Sequence, residues 1–167
     1  MKTQDPNGET LSTQSFSTAD IVTQELIEDA AGVNHIEIIQ TVISSLAQDD
    51  SAMVCKTEAG HLWKFKYGNV EVFVQLTGSA DEDTFTVWAS ILKLPVNNQE
   101  QLMKKLLQMN WSDTFESRFG IVDDQIVVLT SRTVAELSPG EISRAVTVVA
   151  SIANDNSSTL QSEHSAA

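Results

Sequence analysis

A chain of 167 residues, 41% of them apolar, is long enough to form one domain with a buried core. Its net charge of −13 repels phosphate groups, so we expect neither nucleic acid nor an anionic membrane surface as a partner. The single cysteine, Cys55, excludes an internal disulfide framework and a multi-cysteine metal site. No apolar run reaches the roughly 18 to 20 residues of a membrane span. The beginning of the chain lacks the apolar segment of a secretory signal, and we expect a cytoplasmic location.

The first third of the chain is predicted to contain helices after a polar start. Residues 1–16 are rich in Ser, Thr, Gln, Asn and Asp and are expected to be a disordered segment. Residues 17–31 have a modest apolar face and predict a short helix that ends at Gly32. Asn34 and Glu37 form a second helix start, and apolar residues at helical spacing follow as far as Leu46. We therefore predict the first core helix after Asn34.

The stretch from Ser51 to Lys93 predicts an antiparallel meander around which the other elements pack. Apolar side chains fall at every second position in residues 61–67, 70–76 and 85–91, which is the period of a strand. The Gly68-Asn69 pair between the first two of these runs is typical of a two-residue hairpin turn. Residues 53–57 predict a shorter strand before them. Apolar side chains on both faces of neighbouring strands indicate that part of the second face is covered too.

Residues 98–110 predict a helix after Pro95, with an unusually wide apolar stripe. On a helical wheel of about 100° per residue, the apolar side chains span about 160°, whereas a stripe that faces one sheet needs only about 100°. The extra width implies a second contact, either with other helices or with another subunit. The candidate interface residues of this region are Leu102, Met103, Leu106, Met109 and Trp111.

The last third of the chain predicts a hairpin and a final helix. Residues 118–122 and 125–132 flank the turn Asp123-Asp124, and the run from Ile126 to Leu129 predicts a strand that is buried on both faces. Ser138, Pro139 and Glu141 are a strong helix start, and that helix is expected to end near Asn154. Residues 155–167 read as a polar C-terminal tail, which leaves residues 17–154 as a single domain. The predicted fold class is α+β, an antiparallel sheet packed with helices in the order α-βββ-α-ββ-α.

Four stretches of this sequence resemble the YbjN-like proteins, small proteins whose fold matches that of type III secretion chaperones. They are residues 88–96 (WASILKLPV), 102–110 (LMKKLLQMN), 119–121 (FGI) and 137–142 (LSPGEI), and the resemblance covers roughly residues 34–154. Within this group, the sequence most resembles small cyanobacterial proteins of unknown function. The resemblance implies a type III secretion chaperone-like fold and a cytoplasmic, often homodimeric module that binds other proteins and catalyses no reaction.

The residue types that carry out chemistry do not fall into a catalytic or metal-binding pattern. His35, His61 and His164 lie far apart in the sequence and lack metal-ligand spacing. The acidic pairs fall in predicted turns, where neighbouring carboxylates share one exposed environment and cannot divide acid and base roles between them. Cys55 lies in a predicted strand, and a buried structural thiol is the favoured interpretation over a reactive one. We therefore expect no catalytic residue, no metal and no cofactor.

The sequence thus favours a non-enzymatic protein-interaction module, chaperone-like or regulatory, whose client it does not identify. Its expected partners are a second copy of itself and a protein client. One alternative is a regulatory domain that binds a small ligand between the sheet and the helices. The other is an enzyme without a familiar motif, for which the sequence offers no candidate residues. Trp63 reads as an ordinary core residue, whereas core and contact interpretations of Trp111 are about equally favoured.

Overall fold

The computed structural model describes residues 35–165, which fold as a six-stranded antiparallel sheet with three helices. The predictions for residues 1–16 and 17–31 concern residues outside this range. The predicted α+β class and the predicted element order are confirmed. The strands are β1 (Met53–Thr57), β2 (Gly60–Tyr67), β3 (Val70–Leu76), β4 (Thr84–Lys93), β5 (Arg118–Val122) and β6 (Gln125–Thr133), and the helices are α1 (35–46), α2 (Gln99–Ser112) and α3 (Pro139–His164).

The strand order β1-β2-β3-β4-β6-β5 makes β1 and β5 the edge strands of the sheet. The first four strands form the predicted meander, and the β2–β3 turn lies at Gly68-Asn69, where Tyr67 pairs with Val70. Asp123 and Asp124, with φ of 47° and 59°, form the turn between β5 and β6. This left-handed backbone at both central residues is typical of the two-residue hairpin turn that aspartate tolerates. Hence β5 folds back along β6 and not along the meander.

All three helices bury their apolar sides against one face of the sheet. Phe65, Val72, Val87 and Val128 point to this face, and they belong to the same buried cluster as residues of α1, α2 and α3. The longest helix, α3, lies against β3, β4 and β6. The helical members of the cluster with the least exposure are Ile39, Ile43, Leu102, Ile142, Val146, Val149, Ala150, Ala153 and Leu160.

The opposite face of the sheet is covered by its own side chains and by none of the three described helices. Phe73 and Trp88 are cross-strand partners whose rings stack with centroids 5.3 Å apart and planes 11° apart. Lys64 Nζ lies 5.7 Å from the centroid of the Phe73 ring and 2.9 Å from a carboxylate oxygen of Glu71. These contacts leave Phe73 and Trp88 half-buried. Within residues 35–165, the apolar residues on this face are therefore covered by pairing within the sheet and not by a helix.

The amino end of α2 lies close to the predicted helix start but lacks a side-chain cap. The cap residue, Asn98, has φ of 55° and its side chain makes no hydrogen bond to the first turn. Its carbonyl accepts from Leu102 N at 3.0 Å. The helix predicted for residues 98–110 is therefore observed as Gln99–Ser112, with a left-handed residue before it.

The predicted capping box at the start of α3 is present. The hydroxyl of Ser138 accepts from the backbone N–H of Glu141 at 3.2 Å, and the Glu141 carboxylate accepts from Ser138 N at 2.9 Å. Hydrogen bonds from Ser138 to the Glu141 carboxylate lower the pKa of Glu141, with the bond from the Ser138 backbone contributing most. Two of the amides that a helix start leaves free are thus satisfied.

We expect Ser138→Ala to lower the free energy of unfolding by about 1 kcal/mol, because it removes the acceptor of one capping bond. Urea unfolding followed by circular dichroism measures this quantity. Ser143→Ala, an exposed change within the same helix, is the matched control and should change stability by less than about 0.5 kcal/mol. Equal effects of the two substitutions would contradict the capping role.

The prediction that α3 ends near Asn154 is wrong, because the helix continues to His164 through residues that the sequence analysis assigned to a polar tail. Leu160, with an exposed fraction of 1%, extends the apolar side of α3. Gln161 Nε2 donates to Ile91 O at 2.9 Å, and His164 Nδ1 lies 3.1 Å from Asn97 O. These long-range hydrogen bonds connect the last turns of α3 to the end of β4 and to the loop before α2.

Candidate functional site

Metal-ligating side chains do not cluster in the described part of the chain. Within residues 35–165, no group of three or more His, Cys, Asp and Glu side chains is arranged to hold a metal ion. His35 and His164 are instead positioned by backbone carbonyls, at 3.0 Å from Leu137 O and 3.1 Å from Asn97 O respectively. Both histidines therefore join distant segments of the fold. No helix in the described range is long and apolar enough to cross a membrane.

Three glutamates have lowered pKa values, and each of them forms an ion pair or caps a helix. A side-chain hydrogen bond from Arg144 lowers the pKa of Glu116, and one from Lys105 lowers the pKa of Glu163. The pKa of Glu141 is lowered too, by the capping bonds described above. A general acid near neutral pH needs a carboxyl whose pKa is raised. These carboxyls have the opposite shift, which suits structural contacts.

Cys55 is exposed, so the prediction of a buried structural thiol is wrong. It lies in β1, every residue of which is exposed because β1 is a short edge strand. Its cross-strand partner Leu62 lies on the face of the sheet opposite the helices. The alternating apolar pattern indicated a strand correctly, but it does not distinguish an edge strand from a buried one.

The five interface candidates from the sequence divide into three groups in the structure. Leu102 and Leu106, at helical spacing of four, point into the core and have exposed fractions of 0% and 4%. Met103 and Met109 are half-buried at the flanks of α2. Trp111 has an exposed fraction of 93%. The wide apolar stripe therefore has one side that faces the sheet and one side that faces outward.

Exposed apolar side chains concentrate between α2 and the hairpin that follows it. Five of the seven large apolar residues that are exposed in the described range fall between residues 107 and 122. Besides Trp111, the sequence analysis did not select them, although Leu107, with an exposed fraction of 70%, belongs to the predicted stripe. The residues it missed are Leu107, Phe115, Ile121 and Val122.

A shallow apolar cavity lies between the outer side of α2 and β5. Its volume is about 310 Å³, and Met103 and Leu107 of α2 line it together with Ile121 of β5. Trp111 lies one helical turn beyond Leu107, so its side chain stands near the end of this cavity. We call the set Met103, Leu107, Trp111 and Ile121 the α2–β5 surface.

Asn110 fixes α2 to the edge of β5. Its Oδ1 accepts from the N–H of Phe119 at 2.7 Å, and its Nδ2 donates to Phe119 O at 3.3 Å. The backbone groups of Phe119 therefore point to the free edge of the sheet, because residues along a strand alternate in this respect. With both groups occupied by a side chain, an additional strand cannot pair along the full length of β5. The α2–β5 surface is therefore suited to contact through side chains and not to pairing with another strand.

A second, larger cleft beside α2 has a different character. It measures about 610 Å³ and is lined by polar and charged side chains, including Lys104, Lys105, Glu163 and His164. Lys105 Nζ lies 2.8 Å from a carboxylate oxygen of Glu163. Sites for small molecules are mostly apolar with a few placed polar groups, so this cleft fits such a site poorly.

One protein-family model matches residues 35–162, which is more than half of the chain. The chain belongs to the YbjN family. The description of that family is "Putative bacterial sensory transduction regulator". No protein of curated function matches the chain at a significant level. The matched residues include all three described helices except the last two residues of α3, so the α2–β5 surface lies within the YbjN region.

Proposed function

We propose that this YbjN-family chain is a non-enzymatic protein-interaction module, chaperone-like or regulatory, that contacts other proteins through the α2–β5 surface. The observation that carries the proposal is the concentration of exposed apolar side chains between residues 107 and 122. Large exposed apolar patches on soluble proteins are typical of protein contact sites. Trp111 and Leu107 supply the bulky anchors that dominate the energy of such contacts, and tryptophan is among the residues most enriched there.

The family description favours a regulatory role over a catalytic one. The lowered pKa values of Glu116, Glu141 and Glu163 support this proposal, because none of these carboxyls is adapted to donate a proton at neutral pH. We place the protein in the cytoplasm, where the exposed free thiol of Cys55 is compatible with a reducing environment. The small-ligand alternative has less support, because the larger cleft is polar and the apolar cavity between α2 and β5 is shallow.

The proposal predicts that Leu107→Glu removes a specific set of bound proteins. A carboxylate in the middle of an apolar contact must lose its water without gaining a partner, which costs several kcal/mol on binding. The measurement is affinity purification of the tagged full-length protein from its native cell, with captured proteins identified by mass spectrometry. We expect at least one protein to be lost with Leu107→Glu.

Val54→Glu is the matched control for this experiment. Val54 is also an exposed aliphatic residue, with an exposed fraction of 53%, but it lies in β1 at the other edge of the sheet. The captured proteins that Leu107→Glu loses should remain bound to Val54→Glu. A protein set that is unchanged by Leu107→Glu, or lost equally with both variants, would contradict the proposed contact surface.

A further inference from the structure

The polar cleft between α2 and the end of α3 has several features that favour an anion. It begins at the amino end of α2, where Asn98 and Gln101 line it, and it continues along the helix past Lys104. Within residues 35–165, no side chain caps this helix start, because Asn98 makes no hydrogen bond to the first turn. The first amides of α2 therefore lack a side-chain acceptor, and the positive end of the helix dipole is free to attract an anion.

Lys104 adds a positive charge to the cleft that none of the described carboxylates neutralises. Lys105 Nζ lies 2.8 Å from Glu163 Oε2, so the charges of these two lining residues offset each other. Lys104 is exposed and forms no ion pair within the described range. Lys104 and Lys105 are also the only adjacent basic residues of the whole sequence. The lining therefore carries a net positive charge in a chain whose net charge is −13.

His164 is the observation that points most directly to a ligand. Its side chain lines the cleft although its exposed fraction is only 6%. Its Nδ1 donates to Asn97 O at 3.1 Å, which turns the opposite ring nitrogen, Nε2, toward the cleft. Nε2 makes no hydrogen bond to the described residues, because the Glu163 carboxylate oxygen is 3.8 Å away, beyond hydrogen-bonding distance. Nitrogens of buried side chains normally have a partner, so Nε2 is placed to bond a molecule in the cleft.

We propose that this cleft binds the phosphate group of a small phosphate ester. The first amides of α2 and Lys104 Nζ donate to the phosphate oxygens. His164 Nε2 accepts from a P–OH group when it is neutral and donates to a phosphate oxygen when it is charged. The volume of about 610 Å³ exceeds what one phosphate group fills, and the amides of Gln101 and Gln108 face the remaining space. A polar lining suits the hydroxyl groups of such an ester, whereas it does not suit a ligand with an apolar body.

The charge of the whole chain favours a small ester over a polyanion. A nucleic acid lays many phosphates along a protein surface, where it would meet the acidic remainder of this chain. A single phosphate group needs only the cleft. The carbonyl end of α3 also borders the cleft and would repel an anion, but donors occupy part of it. Asn97 Nδ2 donates to Ser165 O at 2.7 Å, and Ser165 Oγ donates to Gln161 O.

This proposal goes beyond the proposed function and does not depend on it. The polar cleft and the apolar cavity of the α2–β5 surface share no lining residue. Loss of client binding with Leu107→Glu therefore says nothing about the cleft, and loss of phosphate binding says nothing about the α2–β5 surface.

The test is a titration of the full-length chain with sodium phosphate, followed by the backbone amide signals in ¹H–¹⁵N NMR spectra. The pH is held constant and sodium chloride keeps the ionic strength equal, so that general screening does not change. We expect saturable shifts concentrated in residues 98–105 and 163–165. Shifts that grow linearly with phosphate, or that are spread over the whole chain, would overturn the proposal.

Lys104→Gln should raise the Kd for phosphate by about 10-fold, because it removes a charge-assisted hydrogen bond. Lys104 is exposed, so the variant is expected to fold normally. Lys66→Gln is the matched control, because it removes the same charge from an exposed position of β2 and should change the Kd by less than about 2-fold. An equal Kd for the two variants would contradict binding in the cleft.

Thermal unfolding gives a second readout of the same site. Phosphate should raise the melting temperature of the unsubstituted chain and of Lys66→Gln, since a ligand that binds only the folded state stabilises it. The same phosphate concentration should raise the melting temperature of Lys104→Gln by less. An equal rise in all three proteins would overturn the proposal.

Two further ligands distinguish the possible sources of the phosphate group. Glycerol 3-phosphate should displace inorganic phosphate and bind at least as tightly, because its hydroxyl groups reach the amides of Gln101 and Gln108. A phosphoserine peptide should bind more weakly than glycerol 3-phosphate, because the peptide extends beyond the cleft. Tighter binding of the peptide would assign the cleft to a phosphorylated protein and overturn the small ester as its ligand.

Discussion

Phe65→Ala is expected to lower the free energy of unfolding by about 3–5 kcal/mol. The Phe65 ring has an exposed fraction of 1% and lies on the face of the sheet that all three described helices cover. Its removal would leave a cavity that a close-packed core fills only in part. Urea or thermal unfolding of the purified full-length chain measures the loss.

Phe73→Ala is the matched control, since Phe73 lies in the neighbouring strand but points to the opposite face. Its ring is half-buried and stacked on Trp88 at 5.3 Å, so its truncation should cost only about 1 kcal/mol, mainly from the lost aromatic pair. Losses of equal size for the two substitutions would show that the second face is packed as densely as the first. The one-sided arrangement of helices would then be wrong.

Leu160→Ala should destabilise the chain by about 2–5 kcal/mol, because Leu160 is buried where α3 continues past the predicted helix end. Thr159→Ala changes an adjacent, exposed residue of the same helix and should alter stability by less than about 0.5 kcal/mol. Chemical unfolding of both variants provides the comparison. Similar stability of Leu160→Ala and the unsubstituted chain would mean that residues 155–164 contribute nothing to the core.

The strands were predictable because a period of two is visible in the sequence wherever one face of a strand is buried. The turns at Gly68-Asn69 and Asp123-Asp124 were predictable from residues that favour left-handed backbone. The capping box of α3 was predictable from Ser138 and Glu141 alone. Each of these signals is local, so no knowledge of the distant chain was needed.

The continuation of α3 was not predictable in the same way. Residues 155–159 are all polar, and the helix there depends on packing and on bonds to residues about 70 positions away. Ser157 and His164 are buried although their residue types favour exposure. Because these contacts are tertiary, helix propensity and periodicity do not reveal them.

The candidate site was only partly predictable. The width of the α2 stripe predicts a second contact for the helix, but it does not show which side faces the sheet. Leu102 and Leu106 proved to be core residues, whereas Leu107 proved to be exposed. That division depends on the position of α2 relative to β5, which the Asn110 bonds to Phe119 set. Sequence spacing alone does not contain this information.

Hydroxyl-radical footprinting of the full-length chain tests most directly whether the α2–β5 surface is a protein contact site. Trp111, with an exposed fraction of 93% in the single chain, should be strongly protected from oxidation in the chain captured together with its bound proteins, while Met53 of β1 should remain reactive. Purification of the chain away from those proteins should restore the reactivity of Trp111 and leave that of Met53 unchanged. Equal reactivity of Trp111 in the bound and the purified chain would contradict the proposed contact surface.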